Sequence, residues 1–142
     1  MIFFMWKEEY LTHVKELDEQ HRKLVELINN LYADLLECQN NDQKQSLVNR
    51  LLEELIEYSV YHFTAEENLL LQYEYPRYEL HVEEHERFKS QVAQFMKDQS
   101  EAERALPFPL VVFLRDWLIS HVLTEDKQYG PYLCAQMRLG KP

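Results

Sequence analysis

Two pairs of residues spaced four apart carry the side chains of this chain best suited to bind a metal ion: His62 with Glu66, and His81 with His85. On an α-helix the members of each pair lie on one face, one turn apart, so both can ligate from the same side. All four stand within apolar runs, where a buried imidazole or carboxylate is costly unless something offsets its desolvation. A bound cation would offset it, and the spacing therefore predicts metal binding.

Four amphipathic helices are predicted to position these side chains. Apolar residues recur at helical spacing over about 17–38, 42–72, 76–98 and 109–130. The polar run 40–42 separates the first two helices, Pro76 suits the first position of the third, and Gly130-Pro131 is typical of a helix end. The short connections predict an all-α fold, an antiparallel up-down-up-down four-helix bundle formed by one domain over residues 1–142, with an N-terminal arm (1–16) and a short C-terminal tail (131–142).

In such a bundle the histidines collect at one end. They come from the start of the first helix, the end of the second, the start of the third and the end of the fourth: His21, His62, His81, His85 and His121. With a rise of about 1.5 Å per residue, each lies within roughly 15 Å of that end of its helix. One isolated pair is a weak signal, but convergence from four helices is a much stronger one. His13 lies outside the apolar stripe and is interpreted as an ordinary surface or packing residue.

Composition and charge exclude several other classes of protein. The chain is 46% apolar and has only two glycines, which favours helices over a many-stranded sheet. Its formal net charge of -10 would repel phosphate backbones and anionic lipid, so neither nucleic acid nor a membrane is an expected partner. Cys38 and Cys134 form no CxxC motif or disulfide framework, which indicates a reducing, cytoplasmic location.

The candidate ligands also narrow the choice of metal. Imidazoles with a few carboxylates suit iron, zinc or copper, and the set is too large for one tetrahedral zinc. Two metals bridged by carboxylates would use all of it. The chain lacks the paired Glu-x-x-His motifs of ferritin-like bundles, which argues against ferritin-like storage or oxygenase sites.

With these residues the sequence resembles the hemerythrin family, specifically its bacterial single-domain members. The resemblance covers nearly the whole chain and rests on motifs in a fixed order: His21, His62-x-x-x-Glu66, His81-x-x-x-His85 and His121-x-x-x-x-Asp126. It continues around them in Leu17-Asp18-Glu19-Gln20-His21, in His62-Phe63-x-x-Glu66-Glu67, in Tyr75-Pro76, and in Trp6 and Tyr10 of the arm.

The resemblance implies a centre of two iron ions joined by an oxo or hydroxo bridge. In the family pattern His81, His85 and His121 bind one iron, His21 and His62 bind the other, and Glu66 and Asp126 bridge them. The two-histidine iron keeps an open position, where dioxygen binds reversibly. The implied function is carriage, storage or sensing of dioxygen, in a binding protein that is not an enzyme.

An apolar wall is expected around the open position, because a dry pocket restrains autoxidation. The candidates are Leu24, Ile28, Phe63, Trp117 and Leu118. Each of them taken singly is explained as well by ordinary bundle core. Leu118, one turn before His121, is the best single candidate.

The spacing from His121 to Asp126 conflicts with an ideal helix. Five residues rotate by about 500°, which leaves Asp126 roughly 140° away from His121. Glu125 would be geometrically easier, but the family pattern places the ligand at Asp126. We therefore predict a π-type bulge between 121 and 126, a distortion often found at functional sites.

Two rival functions stay open. A di-iron oxidoreductase acting on peroxide or nitric oxide would need proton donors, and Tyr32, Tyr58 and Tyr61 are candidates, although tyrosines at this spacing are more often core residues. An iron buffer or metal sensor would instead hold exchangeable metal. The sequence gives no indication of a protein partner.

Overall fold

The computed structural model describes residues 3–38, 45–101 and 108–140, and these residues form helices without any β-strand. The helices are α1 (Lys15–Cys38), α2 (Gln45–Gln72), α3 (Tyr78–Glu101), α4 (Phe108–His121) and α5 (Lys127–Arg138). A five-residue π-turn, Val122–Asp126, joins α4 to α5, and a short 3₁₀ turn, Glu8–Tyr10, lies in the arm. None of the helices in the described ranges is long and apolar enough to cross a membrane.

The helices pack as a four-helix bundle. α1 packs against α2 and α4, α2 against α3, and α3 against α4, so each helix contacts its neighbours in sequence and the first meets the last. Because α4, the π-turn and α5 follow one another without a loop, they act together as the fourth helix. The predicted all-α four-helix bundle is therefore confirmed.

The helix boundaries differ from the predicted ones by a few residues. α1 begins at Lys15, two residues early, and α3 begins at Tyr78, with Pro76 in the preceding turn. α3 continues to Glu101, and α4 begins at Phe108. The predicted start of the second helix at 42 lies outside the described residues.

The prediction that the fourth helix ends near Gly130-Pro131, followed by a short C-terminal tail, is wrong. α5 continues to Arg138 with Pro131 inside it, although proline removes one helix hydrogen bond. Leu133 is completely buried, and the hydroxyl of Tyr132 donates to the backbone carbonyl of Tyr73 at 2.6 Å. Full burial of one large apolar side chain stabilises by about 1.5–3 kcal/mol. This packing outweighs the local stop signal.

The N-terminal arm is tied to α1 by specific contacts. The backbone N–H of Phe4 donates to Asn29 Oδ1 at 2.8 Å, and Asn29 Nδ2 donates back to the Phe4 carbonyl at 2.7 Å. The guanidinium of Arg22 lies 5.1 Å from the centre of the Trp6 ring, a cation–π contact. The arm therefore covers one side of the first helix.

Asp18 fixes the start of α1, one turn before His21. Its carboxylate accepts from the N–H and the hydroxyl of Thr12, both at 2.8 Å, and from the N–H of His13 at 3.0 Å. His13 adopts a left-handed φ of 69°, which turns the chain into the helix. An acidic group in the first turn also interacts favourably with the helix dipole.

Two apolar clusters flank the histidines. The larger includes Leu24 and Phe63, whereas the smaller includes Leu17 and Leu70. On α1, His21 comes between Leu17 and Leu24; on α2, His62 precedes Phe63 and Glu66 precedes Leu70. The polar side chains are consequently enclosed between the two clusters, away from solvent.

Candidate metal centre

Seven buried side chains of types that can bind a metal ion meet between the two clusters, and none is more than 4% exposed. They are His21 from α1, His62 and Glu66 from α2, His81 and His85 from α3, His121 from α4 and Asp126 from the π-turn. These are the seven side chains that the sequence singles out. The antiparallel packing brings their positions to one depth in the bundle.

One half of the site is formed by three histidines around one oxygen of Glu66. Glu66 Oε1 is in short contact with His81 Nε2 and lies 3.1 Å from His85 Nε2 and 3.8 Å from His121 Nε2. Each of these rings turns Nε2 to the same space, and the Nε2 atoms of His85 and His121 are 3.2 Å apart. Such a convergence can hold one cation.

The other half is formed around the second oxygen of the same carboxylate. Glu66 Oε2 lies 3.2 Å from His62 Nε2 and 3.6 Å from His21 Nε2. Asp126 completes this group, with Oδ2 at 3.0 Å from His21 Nε2. Within each half the potential ligand atoms lie within 4.8 Å of one another.

Asp126 spans both halves in the same way as Glu66. Its Oδ1 lies 3.0 Å from His121 Nε2 and 3.2 Å from His81 Nε2, while Oδ2 faces His21. Each carboxylate thus presents one oxygen to each group of histidines. This is the arrangement that two bridging carboxylates need.

The π-turn accounts for the position of Asp126. The N–H of Lys127 donates to the carbonyl of Val122, five residues earlier, so the turn contains one residue more than an α-helical turn. The wider turn carries Asp126 into the site with 0% exposure, whereas Glu125 is only partly buried. The predicted π-type bulge between 121 and 126 is confirmed.

Protons take the place of cations in the metal-free site. Burial alone would lower the pKa of His21, but hydrogen bonds and Coulombic attraction from Asp126 and Glu66 outweigh it and raise the pKa to about 9. The same balance raises the pKa of His81 to about 10 and that of His121 to about 9. The site is therefore built to hold positive charge.

The pKa values of the two carboxylates and of His62 also depend on the balance between burial and neighbouring charges. Burial would raise the pKa of Glu66 and of Asp126, yet the surrounding imidazoles hold both well below their ordinary values. For His62, burial lowers the pKa and prevails over the attraction of Glu66. Both carboxylates are consequently ionised, and His62 is neutral and available as a ligand.

Several polar atoms inside the site lack an aligned hydrogen-bond partner among the described residues. They include Nε2 of His21, Nε2 of His62 and both oxygens of Asp126. Buried polar groups of this kind are rare unless a partner is supplied. Their inward position and the mixed nitrogen and oxygen donors fit transition-metal ions such as iron.

Three side chains outside the set of seven candidate ligands form hydrogen bonds with those ligands and hold them in place. The sequence pattern had not indicated a role for any of the three. Gln20 Oε1 lies 2.7 Å from His62 Nδ1, and Glu67 Oε2 lies 2.7 Å from His85 Nδ1. The hydroxyl of the fully buried Tyr129 donates to Glu66 Oε2 at 2.9 Å. Gln20 and Glu67 are part of the quoted family motifs. Tyr129 has only a weak signal, its place one turn after Asp126.

The five predicted wall residues all line one narrow apolar space: Leu24, Ile28, Phe63, Trp117 and Leu118. Two of them stack on candidate ligands. Phe63 lies 3.9 Å from the ring centre of His85 at an interplanar angle of 14°, and Trp117 lies 4.4 Å from His121 at 13°. Leu118 also lines a second small space that includes His21. It therefore separates the first apolar space from the His21 side of the site.

The other residues considered from the sequence lie elsewhere. His13 is exposed. Tyr32 stacks on Phe3 at 3.9 Å, and the rings of Tyr58 and Tyr61 pair with each other at 5.6 Å, Tyr61 being 58% exposed. Among the described residues, the phenol that donates to a candidate ligand is that of Tyr129.

Comparison with known proteins matches both the sequence and the fold. The family profile described as "Hemerythrin HHE cation binding domain" matches residues 12–133. A bacteriohemerythrin of Clostridium acetobutylicum is 30% identical over 127 residues, covering 89% of this chain and 98% of that protein. One of Methylococcus capsulatus is 31% identical, covering 89% and 93%. A crystal structure of a hemerythrin variant, 28% identical, superposes with a TM-score of 0.82 over 94% of this chain and 98% of that one.

Proposed function

The chain belongs to the hemerythrin family of HHE cation-binding domains, and we propose from this premise that it binds dioxygen reversibly at a centre of two non-haem iron ions. His81, His85 and His121 would hold one iron and His21 and His62 the other, with Glu66 and Asp126 shared between them. When bound, the ferrous pair would supply the electrons that dioxygen takes up and would recover them when dioxygen leaves. The protein therefore carries, stores or senses dioxygen.

The observation that carries this proposal is the division of each carboxylate between two groups of histidines. Glu66 and Asp126 each turn one oxygen to one group and the other oxygen to the second. A site for a single ion needs no such division. Two ions sharing both carboxylates use every one of the seven donors.

The apolar side chains around the centre exclude water from it. A dry wall limits proton access, and protons would promote the irreversible loss of dioxygen in reduced form, as hydrogen peroxide, with the iron left oxidised. Leu118 stands between the apolar space lined by Phe63 and Trp117 and the smaller space that includes His21. We place the dioxygen pocket on the His21 and His62 side, with Leu118 as its wall.

Tyr129 has the task of orienting a bridge. Its hydroxyl donates to Glu66 Oε2 and so fixes the carboxylate. Burial, reinforced by the negative charge of Asp126 and Glu66, raises the pKa of this phenol well above 10. Because it holds its proton firmly, Tyr129 suits a fixed hydrogen bond better than proton transfer.

Because the nearest phenol is a weak acid, a binding protein is favoured over the rival function, an oxidoreductase acting on peroxide or nitric oxide. Turnover of those substrates needs protons delivered to the centre. An iron buffer or sensor is the other rival, and it needs metal that exchanges readily. Ligands that are at most 4% exposed favour metal that is firmly held.

Dioxygen binding is tested on iron-loaded protein that has been reduced with dithionite and desalted without air. Adding air should produce a visible charge-transfer band that fades under argon and returns with air over several cycles. The metal-free protein, treated identically, is the control. Irreversible oxidation with turnover of added peroxide would support the oxidoreductase instead.

The assignment of the ligands is tested by iron content. His62→Ala and His85→Ala should each lower iron below two per chain, because each removes one buried donor. His13→Ala is the matched control, since His13 is exposed, and it should leave the iron content unchanged. Equal losses from all three variants would contradict the assignment.

A further inference from the structure

Two of the five candidate histidine ligands are held by outer side chains of different charge. His85 Nδ1 donates to the carboxylate of Glu67 at 2.7 Å, and the Glu67 side chain is 20% exposed. His62 Nδ1 donates to the amide oxygen of Gln20, also at 2.7 Å, and Gln20 is 6% exposed. The two contacts have equal length, but their acceptors differ in charge.

Both outer partners connect one helix to the next. Gln20 adjoins His21 in the sequence but holds His62 of α2, and Glu67 adjoins Glu66 but holds His85 of α3. Each contact fixes its ring with Nδ1 protonated and Nε2 turned to the site. In this respect the two partners are equivalent.

They are not equivalent in their effect on the metal. A hydrogen bond to an ionised acceptor is roughly twice as strong as one to a neutral acceptor. A carboxylate draws the Nδ1 proton towards itself, and this makes Nε2 a more basic ligand. A more basic ligand stabilises the ferric ion more than the ferrous ion, which carries less charge.

We propose that Glu67 and Gln20 make the two iron positions electronically unequal. Glu67, acting through His85, stabilises the higher oxidation state in the three-histidine half, whereas Gln20 leaves the His62 half easier to reduce. Both are positioning residues, since neither touches the metal directly. The inference rests on the proposed di-iron centre, and it predicts that the first electron added to the diferric protein resides in the half with the open position.

The test exchanges the two outer groups by isosteric substitution. The quantities measured are the two one-electron midpoint potentials of the anaerobic iron-loaded protein. Glu67→Gln should raise the lower potential by about 59 mV, the equivalent of a tenfold loss of preference for ferric iron. Gln20→Glu should lower the higher potential by a similar amount. Mössbauer spectra, which resolve two iron positions, should show that each variant perturbs a different one.

Glu53→Gln is the matched control, because it makes the same change of charge on an exposed residue of α2, about 21 Å along the helix from Glu67. It should leave both potentials unchanged. Equal shifts from Glu67→Gln and Glu53→Gln, or both outer variants perturbing the same iron, would overturn the inference while leaving dioxygen binding intact. Failure of the unmodified protein to bind two iron ions, measured first, would overturn the proposed function and the inference together.

Discussion

Loading the metal-free protein with iron should release about three protons per chain at pH 7.5. His21, His81 and His121 have pKa values of about 9, 10 and 9, so at this pH all three are almost fully protonated. Ligation requires the neutral imidazole, and each proton must therefore leave as iron binds. His62, whose pKa is lowered, and the two ionised carboxylates contribute no proton.

The release is measured by adding two equivalents of ferrous iron, without air, to weakly buffered metal-free protein containing phenol red. Additions of standard acid calibrate the change in colour, and a titration of buffer alone is subtracted. His13→Ala should release the same number of protons as the unmodified chain. A release of one proton or fewer per chain would refute the view that protons occupy the site before iron does.

Three further outcomes are expected. The raised histidine pKa values add stability to the metal-free protein that is fully present below the unfolded pKa of about 6.5 and is lost as the pH rises through 9 to 10. The urea midpoint of the metal-free protein should therefore fall over that window, and that of the iron-loaded protein should fall less. Gly130→Ala places a methyl group 2.5 Å from the backbone carbonyl oxygen of Thr12, so it should cost about 1–3 kcal/mol of unfolding free energy by urea titration; an unchanged midpoint would contradict this close approach. Tyr129→Phe removes the donor to buried Glu66 and should cost about 1–3 kcal/mol in the same assay while two iron ions are retained; loss of iron would show that the hydroxyl does more than orient the bridge.

The arrangement of the candidate site follows from patterns that can be read in a sequence. His62 with Glu66 and His81 with His85 share helical faces because of their four-residue spacing, and antiparallel packing brings their ends together. The conflict between the five-residue spacing of Asp126 and an ideal helix was itself informative. It indicated the wider turn that the structure contains.

Features that depend on contacts between distant segments could not be predicted in this way. Gly130-Pro131 is a valid local stop signal, but the burial of Leu133 against the end of α2 and the following turn overrides it. Gln20 and Glu67 look like ordinary polar residues of helices, because the rings they hold belong to other helices. The periodicity of a single helix gives no information about a side chain's partner on another helix.

The π-turn sets the orientation of every residue that follows it. If Val122–Asp126 took up regular α-helical geometry without losing a residue, all later residues would rotate by about 100°. Asp126 would swing away from His21, Tyr129 would leave Glu66, and Gly130 would no longer face Thr12. One local change of helical winding would thus remove one bridge, its orienting phenol and the contact with the arm in a single step.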